Sequence, residues 1–175
     1  QPGTTHLPHP SPRPSPGTLA GVRVRAIHHA PTPAEDVKGM ARFRTDTCGF
    51  SATERGQTAL ESDADYIGTW MTSGNQIHQR AVIAGPQGKL HHFAFKLADW
   101  NDVGHAADLF SMDDVPIYVG PTRPRLTRGQ PVSFIDPSAY RNAAFSGGYT
   151  AIPPRPPRIP APDTIRPGDR PPPPD

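Results

Sequence analysis

The feature of this sequence that most constrains its fold is an order of predicted secondary-structure elements that occurs twice. The hydrophobic periodicity predicts a strand at 22–30, a helix at 34–50, and three further strands at 51–55, 65–72 and 76–84. It then predicts a strand at 91–97, a helix at 99–112, and strands at 115–119, 131–135 and 143–149. Two modules of one strand, one helix and three strands indicate a single α+β domain with a curved sheet.

The prolines predict where this domain begins and ends. Of the 25 prolines, 17 lie in residues 1–18 and 150–175. These two ends have little apolar content and favour extended polyproline II conformations, so we expect a disordered head and a disordered tail. Residues 19–149 are therefore the predicted folded domain. Proline runs beside arginine, at 153–160 and 170–174, leave open a function as a proline-rich interaction protein that binds aromatic-lined grooves of a partner protein.

Charge and cysteine content narrow the classes of partner. Residues 19–149 hold 13 lysines and arginines against 13 acidic residues, so the net charge of +2 comes from the ends. The sequence has no basic stripe of the kind that predicts nucleic-acid binding, and no segment is long and apolar enough to predict a membrane span. The single Cys48 has no disulfide partner in the chain, which favours the cytoplasm, and we expect it to pack at a helix end. A homo-oligomer remains open.

The two predicted helices each carry an apolar stripe. In the first, Val37, Met40 and Phe43 recur at intervals of three, and Gly49 lies near the end. The second has Asp99 as its predicted N-cap, Asp102 in its first turn, and a stripe formed by Trp100, Val103, Ala107 and Phe110. His105 is expected on the exposed side of this helix.

A histidine pair opens each module. His28-His29 ends the first predicted strand, and His91-His92 begins the first strand of the second module. With the period of two of a strand, His91 falls on an apolar face with Phe93, Phe95 and Leu97, while His92 falls on the opposite face with Ala94 and Lys96. The repeated position raises the odds that one histidine of each pair binds a metal, although ordinary strand histidines remain the alternative.

The second module resembles a known family. The segments LHHFAFKLADWNDVGHAADLFSMDDVPIYVGPTR, LTRG and FIDPS-x-x-RN-x-x-FSGGY closely resemble the C-terminal metal-binding domain of catechol 2,3-dioxygenases, which are extradiol ring-cleaving enzymes. The resemblance covers 90–149 strongly and 22–84 by spacing. It implies the vicinal oxygen chelate fold and cleavage of a catechol, or a substituted catechol, next to its diol by Fe(II) and O₂.

Site residues are implied by the same resemblance. It gives His29 and His92 as iron ligands and His78 as a catalytic histidine that handles protons. His28 and His91 are then expected to be neighbours of the ligands. Glu61, Asp63, Asp65 and Asp136 are expected to be solvated charges and turn caps.

Three positions depart from the family pattern. Ala143 stands where the family has the glutamate that is its third ligand, Pro124 replaces a pocket histidine, and Ser133 replaces a pocket tyrosine. A non-catalytic member of the same fold, binding a metal or a small molecule, is therefore the alternative to a dioxygenase. The sequence leaves open whether the chain is a fragment, a decayed gene or a misread sequence, and which catechol would bind. If the turn before the last strand needs a positive φ at Tyr140, the strain costs about 1–2 kcal/mol.

Overall fold

The computed structural model describes residues 21–61, 63–152 and 155–162. The first module contains β1 (Ala26–Ala34), α1 (Val37–Cys48), β2 (Ser51–Gln57), β3 (Tyr66–Thr72) and β4 (Arg80–Ala84). The second contains β5 (Phe93–Lys96), α2 (Trp100–Met112), β6 (Ile117–Val119), β7 (Gly129–Ile135) and β8 (Arg141–Gly147). The predicted order of one strand, one helix and three strands is confirmed in both modules.

One eight-stranded sheet joins the modules, in the order β2-β3-β4-β1-β5-β8-β7-β6. The first strands of the two modules, β1 and β5, pair antiparallel at its centre. Each of these strands also pairs in parallel with the last strand of its own module, β4 or β8. Because the two histidine pairs belong to β1 and to the residues just before β5, the topology brings them together in the middle of the sheet.

Each helix covers the sheet of its own module. On α2, Val103, Ala107 and Phe110 are buried in a cluster with Leu97 and Val132, so the predicted stripe is confirmed. Asp99 accepts hydrogen bonds from the backbone N–H groups of residues 101 and 102 and is the predicted N-cap. His105 is exposed, as expected.

The prediction for α1 was wrong in its start and in its buried face. Asp36 caps the helix by accepting from the Gly39 N–H at 2.7 Å, so α1 begins at Val37. Val37 and Ala41 are buried, whereas Met40 and Phe43 are 37% and 55% exposed. At about 100° per residue, Phe43 lies about 120° around the helix from Val37, too far to share its contact with the sheet. Gly49 ends the helix at φ 70°.

Several boundaries also differ from the prediction. Residues 76–79 form a loop before β4, and His91 and His92 precede β5 instead of belonging to it. Cys48 is exposed at the end of α1, so its predicted packing role was wrong. The positive φ in the turn before β8 is at Ala139 (63°), not at Tyr140, and Asp136 caps this turn as expected, accepting from the N–H groups of residues 138 and 140.

A short part of the proline-rich tail contacts β2. The Arg158 N–H donates to the Thr53 carbonyl at 2.9 Å, and the Arg55 N–H donates to the Arg158 carbonyl at 2.8 Å. The Arg158 guanidinium also forms an ion pair with Glu54, 3.0 Å from Oε1. Composition alone did not indicate these contacts. The domain boundaries at 19 and 149 stay predictions, and 1–18 and 170–174 lie outside the described residues.

Candidate metal centre

The strand register places a row of side chains across the inside of the sheet. His29 on β1 pairs with Ala94 on β5, Ala94 pairs with Ala143 on β8, and Ala143 pairs with Ser133 on β7. Paired residues of neighbouring strands point to the same face. His29, Ala143 and Ser133 line one narrow cavity of about 60 Å³, and Ala94, at 0% exposure, packs beside them with Ala143 and Phe145. His29 thus shares the cavity with Ala143, the position where the resemblance expects a glutamate and this chain has a methyl group.

Two imidazoles meet across the boundary between the modules. The Nε2 atoms of His29 and His92 are 3.2 Å apart. The other ring nitrogen of His29, Nδ1, is 2.8 Å from Nδ1 of His28. A neutral imidazole has one N–H and one lone pair, so His29 donates to one of these neighbours and accepts from the other. The structure therefore brings together both of the predicted metal ligands.

His78 lies against the same pair from the loop before β4. Its ring centroid is 4.1 Å from that of His29, and its side chain is 2% exposed. Its Nδ1 is buried and has no hydrogen-bond partner among the described residues. One ligand atom from each of His28, His29 and His78 falls within a group no wider than 4.8 Å. An unpaired buried nitrogen costs free energy, so its presence beside other imidazoles indicates an exogenous partner.

Burial keeps these histidines neutral. Desolvation lowers the pKa of His29, His78 and His92 well below the usual value, and nearby histidines lower each further. The pKa of His28 falls to about 4, first through burial and then through the charge of Lys96. Neutral imidazoles keep a lone pair for a metal ion at physiological pH.

The donor set fits a divalent metal that accepts imidazole ligands. Metal–imidazole bonds are about 2.0–2.1 Å long, so two nitrogens at roughly a right angle lie about 3 Å apart. The observed 3.2 Å between the His29 and His92 nitrogens matches that spacing. The described residues lining the cavity include no carboxylate, because Ala143 occupies the wall where one would project. Among the described residues, the potential metal ligands that line the cavity are therefore histidine nitrogens.

Sequence reasoning identified His29, His78 and His92 but not all of their surroundings. His91 was expected on the helix-facing side, yet it lines the cavity with His92, because the extended pairing begins only at Phe93. Leu97 does face α2, and Ala94 packs with Ala143 and Phe145, which line the cavity, whereas Phe93 is 37% exposed.

The aromatic wall of the cavity was also missed. Phe145 packs 4.4 Å from the His28 ring and 5.1 Å from the His29 ring, and Trp70 also lines the cavity. The period of two from Ala143 to Phe145 on β8 was the signal for Phe145.

Comparison with known families matches residues 26–143 to the Glyoxalase/Bleomycin resistance protein/Dioxygenase superfamily. The chain belongs to this superfamily. The match spans both modules, and the fold is the vicinal oxygen chelate fold expected from the resemblance.

The similar proteins are dioxygenases. Metapyrocatechase of Pseudomonas sp. (strain CF600) is 35% identical over 134 residues, covering 76% of this chain and 43% of the relative. Manganese-dependent 2,3-dihydroxybiphenyl 1,2-dioxygenase of Geobacillus genomosp. 3 is 29% identical over 140 residues, covering 77% and 43%. The crystal structure of the 2,3-dioxygenase LapB from Pseudomonas sp. KL28 superposes with a TM-score of 0.77 at 31% identity, covering 82% of this chain and 49% of that one. The chain spans less than half the length of these relatives.

Proposed function

We propose that this domain binds Fe(II) through His29 and His92 and acts on a catechol in the adjoining cavity as an extradiol dioxygenase. The observation that carries the proposal is the 3.2 Å approach of the two Nε2 atoms in a cavity where burial lowers the pKa of both His29 and His92. The names of the relatives support the reaction class. Bound iron would supply the Lewis acidity and redox chemistry that ring cleavage by O₂ requires.

The lining residues have distinct proposed roles. The aromatic walls formed by Trp70 and Phe145 would hold a flat ring and exclude water. His78, neutral and with an unpaired Nδ1, would accept a proton from a catechol hydroxyl and return it later in the reaction. The diol would approach the two ligand histidines, and Ser133 would border the ring.

Iron is favoured over manganese by the donor set. Mn²⁺ prefers carboxylate, carbonyl and water oxygens, whereas imidazole suits iron, zinc, copper and nickel. One relative is manganese-dependent by name, but the described lining of this cavity offers nitrogen donors and no carboxylate. We therefore expect Fe(II) to bind more tightly than Mn(II).

The test is ring cleavage. Purified protein is loaded with Fe(II) without oxygen, mixed with catechol and air, and followed by the absorbance of the yellow semialdehyde product. The proposal predicts a signal that a chelator abolishes and that His92→Ala removes. His105→Ala, an exposed histidine on α2, is the matched control and should keep full activity. Folded, iron-loaded protein that forms no product would contradict the proposal.

A second candidate function is binding without turnover. The specific observation in its favour is that Ala143, Pro124 and Ser133, which replace family residues with chemical roles, all line the cavity. In that case titration calorimetry would detect metal-dependent catechol binding under conditions that give no product.

A cytoplasmic location stays a prediction from the sequence. No helix among the described residues is both long and apolar enough to cross a bilayer.

A further inference from the structure

A cleft rich in arginine adjoins the histidine cavity. Its volume is about 490 Å³, and Pro124 lines both spaces. Four arginines border it, namely Arg123, Arg125, Arg128 and Arg158, and no acidic residue is among its described lining. Since residues 19–149 carry equal numbers of acidic and basic residues, this concentration is local and does not reflect the composition of the domain.

Two of the four guanidinium groups are held in place. Arg123 stacks on Trp100, 4.4 Å from the ring centroid. Arg158 lies over the Tyr149 ring at 5.2 Å and donates to Glu54 at 3.0 Å. Ordered guanidinium groups lose less conformational entropy when they bind an anion, and their planar donors match a carboxylate. The cleft is therefore partly organised before any ligand arrives.

The turn that carries Arg128 is fixed by the same buried carboxylate. Thr127 and Arg128 have positive φ values of 60° and 51°, a conformation that costs free energy for residues other than glycine. Glu54 stabilises this turn because its Oε2 accepts from the Thr127 N–H at 2.6 Å. Glu54 is only 1% exposed and does not line the cleft, but its ion pair offsets the charge of Arg158. The positive charge of the opening therefore comes chiefly from Arg123, Arg125 and Arg128.

The turn also separates the two spaces. Thr127 lines the histidine cavity, and Pro124 lines both spaces. The cleft is lined by Arg123, Arg125 and Arg128. A ring held in the cavity with a substituent directed past Pro124 would bring that substituent to the arginines. We propose that the cleft binds an anionic substituent of the substrate, so that the preferred catechol carries a carboxylate. This inference rests on the proposed function for the position of the ring.

The test compares charged and neutral catechols. Dissociation constants of the metal-loaded protein are measured by calorimetry for 3,4-dihydroxybenzoate, the longer 3-(3,4-dihydroxyphenyl)propanoate, and neutral 4-methylcatechol. At least one acid should bind about tenfold or more tightly than 4-methylcatechol, because charge-assisted bonds to arginine are strong. Raising the salt concentration should reduce this preference.

Variants test which arginines cause the acids to bind more tightly than 4-methylcatechol. Arg125→Gln with Arg128→Gln should bring the acids and 4-methylcatechol to within about threefold of each other, a loss of most of the charge-assisted contribution. The matched control, exposed Arg42→Gln on α1, should leave the ratio unchanged. Equal affinities in the unmodified protein, or a preference that survives the double variant, would overturn the inference.

Failure of the proposed function would look different. If a chelator leaves binding of the acids intact while 4-methylcatechol never binds, the cleft takes anions without a catechol site. The proposed function then falls, and with it the assignment of the anion to a substituent of a catechol, while the binding of anions by the cleft itself stands. Inorganic phosphate is added as a competitor to distinguish two cases. It would block a site that binds free anions, but not a site at which binding depends on the catechol ring. If phosphate and both acids fail to bind, the inference is wrong.

Discussion

At the scale of single residues, the central fact is the methyl group of Ala143. Its side chain lines the cavity on the same row as His29, and it is 3% exposed. A carboxylate in this position would face the two histidine nitrogens that lie 3.2 Å apart. Two imidazoles and one carboxylate form the donor set typical of non-haem Fe(II) sites.

Ala143→Glu is therefore expected to raise the affinity for Fe(II). Gain of a charged ligand should strengthen binding by about tenfold or more, since loss of even an indirect partner of a ligand costs about 10–100-fold. Competition with a chromophoric chelator measures the constant under anaerobic conditions. Ala143→Gln has nearly the same shape without the charge and is the control. Equal affinity of the glutamate and glutamine variants would contradict the role assigned to this position.

At the scale of elements, the start of α2 depends on one carboxylate. Asp99 accepts two backbone hydrogen bonds from the first turn. Asp99→Ala should lower the free energy of unfolding by about 1 kcal/mol, the usual contribution of such a cap. Urea denaturation measures the change. Asp108→Ala, an exposed acid in the middle of the same helix, should change the free energy of unfolding by less than about half of that. Equal effects of the two variants would rule out the capping role.

The tail segment around Arg158 is the second element with a testable contribution. Removal of its guanidinium leaves Glu54, which is 1% exposed, without its ion pair. We expect Arg158→Ala to cost about 1–3 kcal/mol in the free energy of unfolding, because a buried carboxylate loses a charged partner. Arg155→Ala, exposed three residues earlier, should have little effect. An unaltered urea midpoint in Arg158→Ala would show that the tail does not stabilise the domain.

Periodicity predicted the elements well where one face of a strand or helix is apolar over its whole length. It placed α2 within one residue because Val103, Ala107 and Phe110 all face the sheet. It failed at Phe43, since an apolar side chain on a surface helix can remain exposed at small cost.

The site was only partly readable from the sequence. The resemblance supplied His29, His78 and His92, but the approach of His91 and the contacts of Arg158 depend on tertiary packing that no local pattern encodes.

At the scale of the whole molecule, the buried histidines couple stability to pH. Their pKa values are lowered in the folded state, so the unfolded chain binds more protons below about pH 6.5. Stability is therefore fully present above that pH and is lost as the pH falls. For His28, whose pKa drops to about 4, the loss at pH 5 is about 2 kcal/mol.

Urea denaturation of the metal-free protein tests this coupling. The midpoints are measured at pH 7.5 and pH 5 in the presence of a chelator. We expect a clearly lower midpoint at pH 5 and a smaller difference in His28→Gln, which cannot take up the proton. His105→Ala should show the same difference as the unmodified protein because His105 is exposed. A midpoint that does not change between the two pH values would mean that the histidines are not kept neutral by the fold.

The central claim is that histidines from the two modules form one metal site at the middle of the sheet. Anaerobic titration with Fe(II), with bound metal counted per chain, tests it most directly. We predict one equivalent for the unmodified protein and for His105→Ala, and a loss of tight binding in both His29→Ala and His92→Ala. Binding that survives both substitutions, or no stoichiometric binding by the folded protein, would contradict the claim.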